Sequence, residues 1–324
     1  MRTIFTFLLF FQFCYVGCSR SAGQNTSEIK FGIWIRGEHF RDAQEQDFQN
    51  LANHGIGELF VNEAAMRVHG MTDAAFKQQV DRASNYGIKV HIWFQCFYLS
   101  GSWLLPVIPE TGQFNQPYFD ELIDRAKRYV GFGNIAGIHL DYIRFSGVTA
   151  SNKAAFQHNY SEEVTGENAI AEFCRQISVA VKAIDPNVKL SAALMNERSE
   201  NARYYGQNAR KMAKYIDIII PMVYRYSFGA EPIDKGADWI TGTTQWFVDE
   251  VKASDGKAEV WSGILTYRPL APSDTKIEWL TAEQLEIDCR LSIKNDAGNS
   301  TGATGVVLFR YGIVNYCDMT SIKN

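Results

Sequence analysis

Long apolar runs are nearly missing from this 324-residue sequence. One begins at Ile4, and no other stretch is long and apolar enough to cross a bilayer as a helix. A Lys/Arg-rich block is also missing and the net charge is -4, so nothing suggests a groove for DNA or RNA. No GxGxxG follows the first apolar strand and no P-loop occurs anywhere, which removes the usual phosphate cradles of nucleotide-binding sheets. The six cysteines show no CxxC and no zinc-ligand spacing. Neither HxH nor HExxH appears, and no cofactor is expected. No Pro/Ser-rich linker interrupts the body, which therefore reads as one domain.

The single apolar run lies in "MRTIFTFLLFFQFCYVGC". Arg2, the run and Gly17-Cys18 together have signal-peptide anatomy. A small residue followed by Cys resembles a bacterial lipoprotein lipobox, with Tyr15 in place of the usual aliphatic residue. The resemblance implies lipidation of Cys18, whose several acyl chains suffice for stable membrane anchoring. Ser19 rather than Asp follows the cysteine, which points to the outer membrane of a bacterial envelope. The expected organisation is a signal peptide with its lipobox cysteine over 1–18, a tether over 19–28 and one barrel domain over 29–324. Ordinary cleavage near Ser21-Ala22 is the alternative. Cys96, Cys174, Cys289 and Cys317 then remain. Four cysteines allow three disulfide connectivities, and buried free thiols are the preferred reading.

After the tether, short apolar strands alternate with amphipathic segments. The strands are "IKFGIWIR", "IGELFVNEA", "IKVHIWFQCF", "IAGIHLDYIRF", "NVKLSAALMNE", "YIDIIIPMVY", "AEVWSGILTYRP" and "ATGVVLFRYG". Between them lie helical patterns such as "FRDAQEQDFQNLANHG", "DAAFKQQVDRASNYG" and "PYFDELIDRAKRYVGFG". Strict alternation argues for a parallel sheet with helices outside. Eight repeats in about 300 residues fit a closed (β/α)8 TIM barrel, an α/β fold, better than an open sheet.

In such a barrel the active site lies at the C-terminal ends of the strands. Those ends carry Trp34, Arg36 and Glu38; Asn62 and Glu63; Trp93 and Gln95; His139, Asp141 and Arg144; Asn196 and Glu197; Tyr224; Tyr267; and Arg310. The N-terminal ends are plainer, with Lys30, Lys89 and Lys189. Alternation puts Gly137, His139 and Asp141 on one face, so His139 is expected beneath Asp141 inside the barrel. Arg144 is expected to hold Asp141 ionised, since an adjacent cation lowers a carboxylate pKa; a buried Asp141–Arg144 ion pair is the purely structural reading. Glycoside hydrolysis needs two carboxylates, one protonated and one ionised. Asp141 and Glu197, on neighbouring strands, are the candidate catalytic pair. Glu63 and Glu38 are reserves or ligands for sugar hydroxyls. Trp34 and Trp93 are candidate stacking surfaces, and core packing is the alternative for Trp34 and Trp261. Arg36, Glu63, His139, Arg144, Tyr224 and Arg310 complete the expected carbohydrate-binding set.

"IAGIHLDYIRFSG" resembles the "DGIHLDYIRYP" signature of glycoside hydrolases in the glycosyl-hydrolase-10-like group of bacterial and archaeal cell-surface proteins. "FDELIDRAKRYV" resembles that group's third helix, and "FGIWIR" and "IDIIIPMVY" carry a weaker likeness. The resemblance implies a barrel acting on carbohydrate, with Asp141 in the place of the motif aspartate. Ala136 stands where the signature often has Asp, and Ser146 where it has Pro. Against the DGxDxDxE strand of family 18 chitinases, Asp141 matches the last Asp. Ile143 then stands where the general-acid Glu belongs, and Tyr224 resembles that family's strand 6 tyrosine. Against GxRxD of family 13, the chain reads GxHxD with Glu197 ending strand 5.

Three readings follow. The first is a glycoside hydrolase of the cell envelope. The second is a glycan-binding lipoprotein that keeps the barrel without the chemistry. The third is metal-dependent hydrolysis through His91, His139 and Asp141, which suits zinc by ligand type but lacks a spacing motif.

Overall fold

The computed structural model describes residues 28–147, 160–228, 233–271 and 275–323. Eight parallel strands close into a barrel: β1 (Lys30–Ile35), β2 (Glu58–Asn62), β3 (Lys89–Gln95), β4 (Gly137–Asp141), β5 (Lys189–Leu194), β6 (Ile218–Pro221), β7 (Glu259–Leu265) and β8 (Gly305–Phe309). Each strand pairs with the next in the chain, and β8 returns to β1 with Lys30 opposite Gly305. This is the (β/α)8 barrel that the alternation predicts. Cys18, the signal segment and all of the tether but its last residue lie outside the described residues.

The crossover helices are α1 (Glu45–Asn53), α2 (Asp73–Ser84), α3 (Gln116–Val130), α4 (Gly166–Ile184), α5 (Ala209–Met212), α6 (Ala237–Lys252) and α7 (Ala282–Ile293). Their starts are written in the sequence. Thr72, Thr165 and Thr281 each accept a backbone N–H of the first turn of α2, α4 and α7, and Pro117 opens α3. The segment after β1 reads as one helix but forms two, Gly37–Asp42 and α1, because Ala43 is extended and Gln44 starts a new capping box with Asp47. The connection from β5 to β6 is reduced to Glu200–Tyr205 and α5, and β8 is followed by a 3-10 turn over Met319–Lys323. The long loop after β3 folds into two small hairpins, Tyr98–Leu99 with Ser102–Trp103 and Val107–Ile108 with Gln113–Phe114.

Period-2 alternation sorts the strand residues into two cores. Ile33, Ile35, Leu59, Val61, Ile92, Phe94, Ile138 and Leu140 belong to the large core that also takes in the helices. Trp34, Phe60, Trp93, Ile220, Trp261 and Val307 form a separate cluster, on the strand positions that alternate with these and face the barrel axis. Rings this large need room, and other strands of the barrel supply it with glycine. A Cβ on Gly305 would lie 2.6 Å from the Trp261 ring, and one on Gly263 would lie 2.9 Å from Trp34. Cys96, Cys174, Cys289 and Cys317 are buried free thiols.

Candidate active site

The carboxylate at the end of β4 sits on the axial side of the strand, as its alternation requires. Asp141 lies opposite Gln95 of β3 and is half-buried. Its Oδ2 accepts a hydrogen bond from Trp93 Nε1 at 2.8 Å, and its Oδ1 accepts one from the Tyr142 backbone N–H at 2.7 Å. Tyr142 adopts φ 49°, a left-handed conformation that is uncommon for a residue with a Cβ. Strained backbone of this kind concentrates at functional sites. The turn leaves Tyr142 on the cleft wall and sends Ile143 into the core, fully buried. The position matching the family 18 general acid is therefore part of the core, not of the cleft.

Burial pushes the Asp141 carboxyl above the ordinary range, against the lowering effects of the Trp93 and Tyr142 hydrogen bonds and the Arg144 charge. The lowering by Arg144 that the sequence leads one to expect is present, but it is outweighed by desolvation. Nor do the two form an ion pair. The Arg144 guanidinium donates to the carbonyls of Phe145 at 3.0 Å and Ser146 at 3.3 Å. It lies 4.7 Å from the Trp103 ring centroid and 5.2 Å from that of Tyr205. Tyr98, Trp103 and Tyr142 gather beside it, with Tyr98 and Tyr142 4.9 Å apart.

Around Asp141 opens a cleft of about 640 Å³ at the C-terminal end of the barrel, within the usual range for small-molecule sites. Arg36, Trp93, Arg144 and Tyr224 line it, so four of the expected binding residues share a wall with the aspartate. So do Glu38, the reserve carboxylate, and the strand-end residues Asn62, Gln95 and Tyr267. Glu38 Oε2 pairs with His69 Nε2 at 3.2 Å. Met222, Phe228 and Phe309 also line it; as apolar residues they carry no polar signal, and only Phe309's place at the end of β8, beside Arg310, hints at its role.

Five expected site residues lie elsewhere. Glu197 borders a second pocket, not the Asp141 cleft, and the two hollows share Met222, Tyr224 and Phe228. Trp34 is 2% exposed and donates from Nε1 to His139 Nε2 at 3.0 Å. His139 is fully buried beneath the cleft and its Nδ1 meets Ser191 Oγ at 2.9 Å. Because Trp34 can only donate, His139 carries its proton on Nδ1 and gives it to Ser191. Burial, with a smaller repulsion from His91, drives the His139 pKa well below the ordinary value, so the ring is neutral. Glu63 is 1% exposed and binds Tyr129 Oη at 2.7 Å and Arg67 at 3.3 Å, away from the cleft. Arg310 is buried behind Phe309, its backbone N–H donating to Thr266 Oγ1.

His91, His139 and Asp141 do not converge. His91 bonds Glu58 at 2.8 Å and lines a hollow with the strand-opening residues Lys30, Lys89 and Lys189, at the opposite end of the barrel. Among the described residues, no three His, Cys, Asp or Glu side chains form a group able to hold a metal ion.

Residues 111–238, less than half of the chain, match a family described as "Putative glycosyl hydrolase domain"; the matched stretch contains β4, β5 and β6. No curated protein matches the sequence. Among solved structures, the fold is similar to a class V chitinase from Pseudomonas fluorescens Pf-5, with 14% identity, TM-score 0.57 and coverage of 91% of this chain and 98% of that one. It is similar to a GH113 β-1,4-mannanase at 13% identity and TM-score 0.57, covering 92% and 93%. It is also similar to the spore cortex-lytic enzyme SleL of Bacillus megaterium QM B1551, at 11% identity and TM-score 0.55, covering 93% and 74%. The chain thus has a glycosyl-hydrolase-like domain on a TIM barrel whose architecture glycoside hydrolases share.

Proposed function

We propose that the protein is a glycoside hydrolase acting on an oligo- or polysaccharide. The observation that carries the reading is Asp141, a carboxyl raised in pKa by burial at the C-terminal end of a barrel, in a cleft walled by aromatic rings and arginines. Flat rings suit the apolar faces of pyranoses, and Arg, Asn and Gln suit their hydroxyls. A carboxyl whose pKa is raised by burial suits proton donation to a glycosidic oxygen. In this reading Asp141 is the acid. Glu38, which lines the same cleft and is 37% exposed at its side chain, is the partner that attacks or activates water. Glu38 takes the role that the sequence gives to Glu197, since Glu197 faces the adjoining pocket. The family match over residues 111–238 supports the same class of substrate.

The test is reducing-end release from β-mannan, chitin and peptidoglycan glycan by the wild type and by Asp141→Asn. We expect release by the wild type and a loss of at least about 10²-fold in the variant, the scale of acid–base catalysis. Equal turnover by both proteins refutes the assignment. Burial of Ile143 at the family 18 acid position favours a second reading, a glycan-binding barrel without turnover. Binding of the same glycans without any release would identify it.

We further propose that the protein is anchored through Cys18 in a bacterial envelope, at the outer membrane, on the motif Gly17-Cys18-Ser19. Palmitate labelling that survives Cys18→Ser would reject this.

A further inference from the structure

Beside the Asp141 cleft lies a second hollow of about 320 Å³, within the size of small-ligand sites. Glu197 and Lys235 line it, and Tyr224 and Phe228 form part of the wall between the two. Glu197 is held in place on one side only. Its Oε1 accepts from Tyr205 Oη at 3.1 Å, and its backbone N–H donates to Asn201 Oδ1 at 3.1 Å. The next residue, Arg198, takes a left-handed φ of 56° and is pinned by its guanidinium to Thr243 Oγ1 at 3.1 Å. The other carboxylate oxygen, Oε2, is buried with no donor in reach. Lys235 does not fill the gap: its Nζ donates to the Tyr224 carbonyl at 3.2 Å and sits 4.3 Å from the Trp239 ring. A buried carboxylate oxygen without a donor is costly. The last torsion of a Glu side chain is soft, so the carboxylate turns readily to meet a donor in the pocket.

We infer that this hollow is a second sugar subsite, in which Glu197 accepts hydroxyl hydrogen bonds from a neighbouring unit of the same glycan whose scissile bond lies over Asp141. The inference rests on the glycoside hydrolase reading. The charges favour a neutral hydroxyl donor over an ion. The Glu197 carboxylate repels anions, while the charges of Lys235 and Arg144 offset its attraction for cations. Tyr224 and Phe228 face both hollows, so one chain crossing them contacts continuous aromatic surface. Glu197 is then a specificity-determining residue, and the preferred substrate is longer than one sugar.

The test compares kcat and KM of the wild type, Glu197→Gln and Phe228→Ala on β-1,4-mannohexaose, N-acetylchitohexaose and their disaccharides. Phe228 is 43% exposed, so its truncation leaves the fold intact. Exchange of a charged acceptor for a neutral one predicts a KM for the hexasaccharide raised about five- to tenfold in Glu197→Gln, with kcat changed far less and a smaller effect on the disaccharide. Phe228→Ala is expected to raise KM in the same length-dependent way. A kcat collapse in Glu197→Gln at unchanged KM would make Glu197 catalytic and overturn the inference. Unchanged kinetics in both variants would overturn it too, while leaving the hydrolase reading intact. A wild type that hydrolyses none of these sugars would remove the hydrolase reading itself, and the subsite with it.

Discussion

Replacing Trp93 by Phe is the most informative single change, because it removes one hydrogen-bond donor from Asp141 and keeps an aromatic ring. The indole N–H lies 2.8 Å from Oδ2. A hydrogen bond to a charged group contributes about 1.5–3 kcal/mol, and its loss falls mainly on the ionised form. Burial already pushes the Asp141 pKa up, and the Trp93 bond is the first of the groups that oppose it. In Trp93→Phe the pKa therefore moves further up. If Asp141 is the acid, it works while protonated and activity is lost as pH rises through its pKa. The alkaline limb of kcat then shifts to higher pH, and the half-open cleft, which lets water replace part of the bond, keeps the effect toward the low end of that range. Initial rates of reducing-sugar release from about pH 4 to 9 read this directly. A ¹³C titration of the Asp141 carboxyl reads the same shift without substrate. An alkaline limb that stays put, or moves down, refutes the acid assignment. A shift confined to the acidic limb means that Asp141 works ionised, as nucleophile or base.

Two further predictions concern stability. Trp34→Phe leaves His139 Nε2 buried without its 3.0 Å donor, so urea unfolding is expected to show a loss of about 1–3 kcal/mol from that atom alone; a variant as stable as the wild type would contradict the interior hydrogen-bond chain. Asp288 is 1% exposed and burial raises its pKa to about 6, although Arg225 Nη1 lies 3.1 Å away. Because the folded state holds this proton more tightly than the unfolded chain, stability falls as pH rises from the unfolded value of 3.8 to about 6 and stays reduced above it. Full expression of that shift amounts to about 3 kcal/mol. Asp288→Asn keeps an oxygen for Arg225, which remains paired with Asp234 at 2.7 Å. The variant is expected to be at least as stable as the wild type at neutral pH, with the gap closing toward acid. Urea midpoints in acid and at neutral pH test this, and a gap that widens toward acid would show the sign to be wrong.

By itself the sequence determined the barrel and the face of each strand. Eight apolar runs alternating with capped amphipathic helices leave few ways to bury both, and alternation along Gly137, His139 and Asp141 puts the aspartate on the axial side with His139 below it. Depth within the barrel was a tertiary decision. Trp34 lies opposite Phe60, Phe60 opposite His91, and His91 opposite Gly137, the first residue of β4. The row that holds Trp34 near the end of β1 thus runs to the start of β4, and Trp34 becomes core. Trp93 shares a row with Asn62 and His139 and reaches the cleft. No residue pattern within one strand records this stagger, because it is a property of how neighbouring strands pair. The turns beyond the strands decided the rest. Glu63 is drawn to Tyr129 and Arg67, Glu197 to Tyr205, and Glu38 stays at the cleft on a short helix. Three carboxylates that look equivalent at strand ends are separated because each finds its partners only once the helices have packed around the barrel.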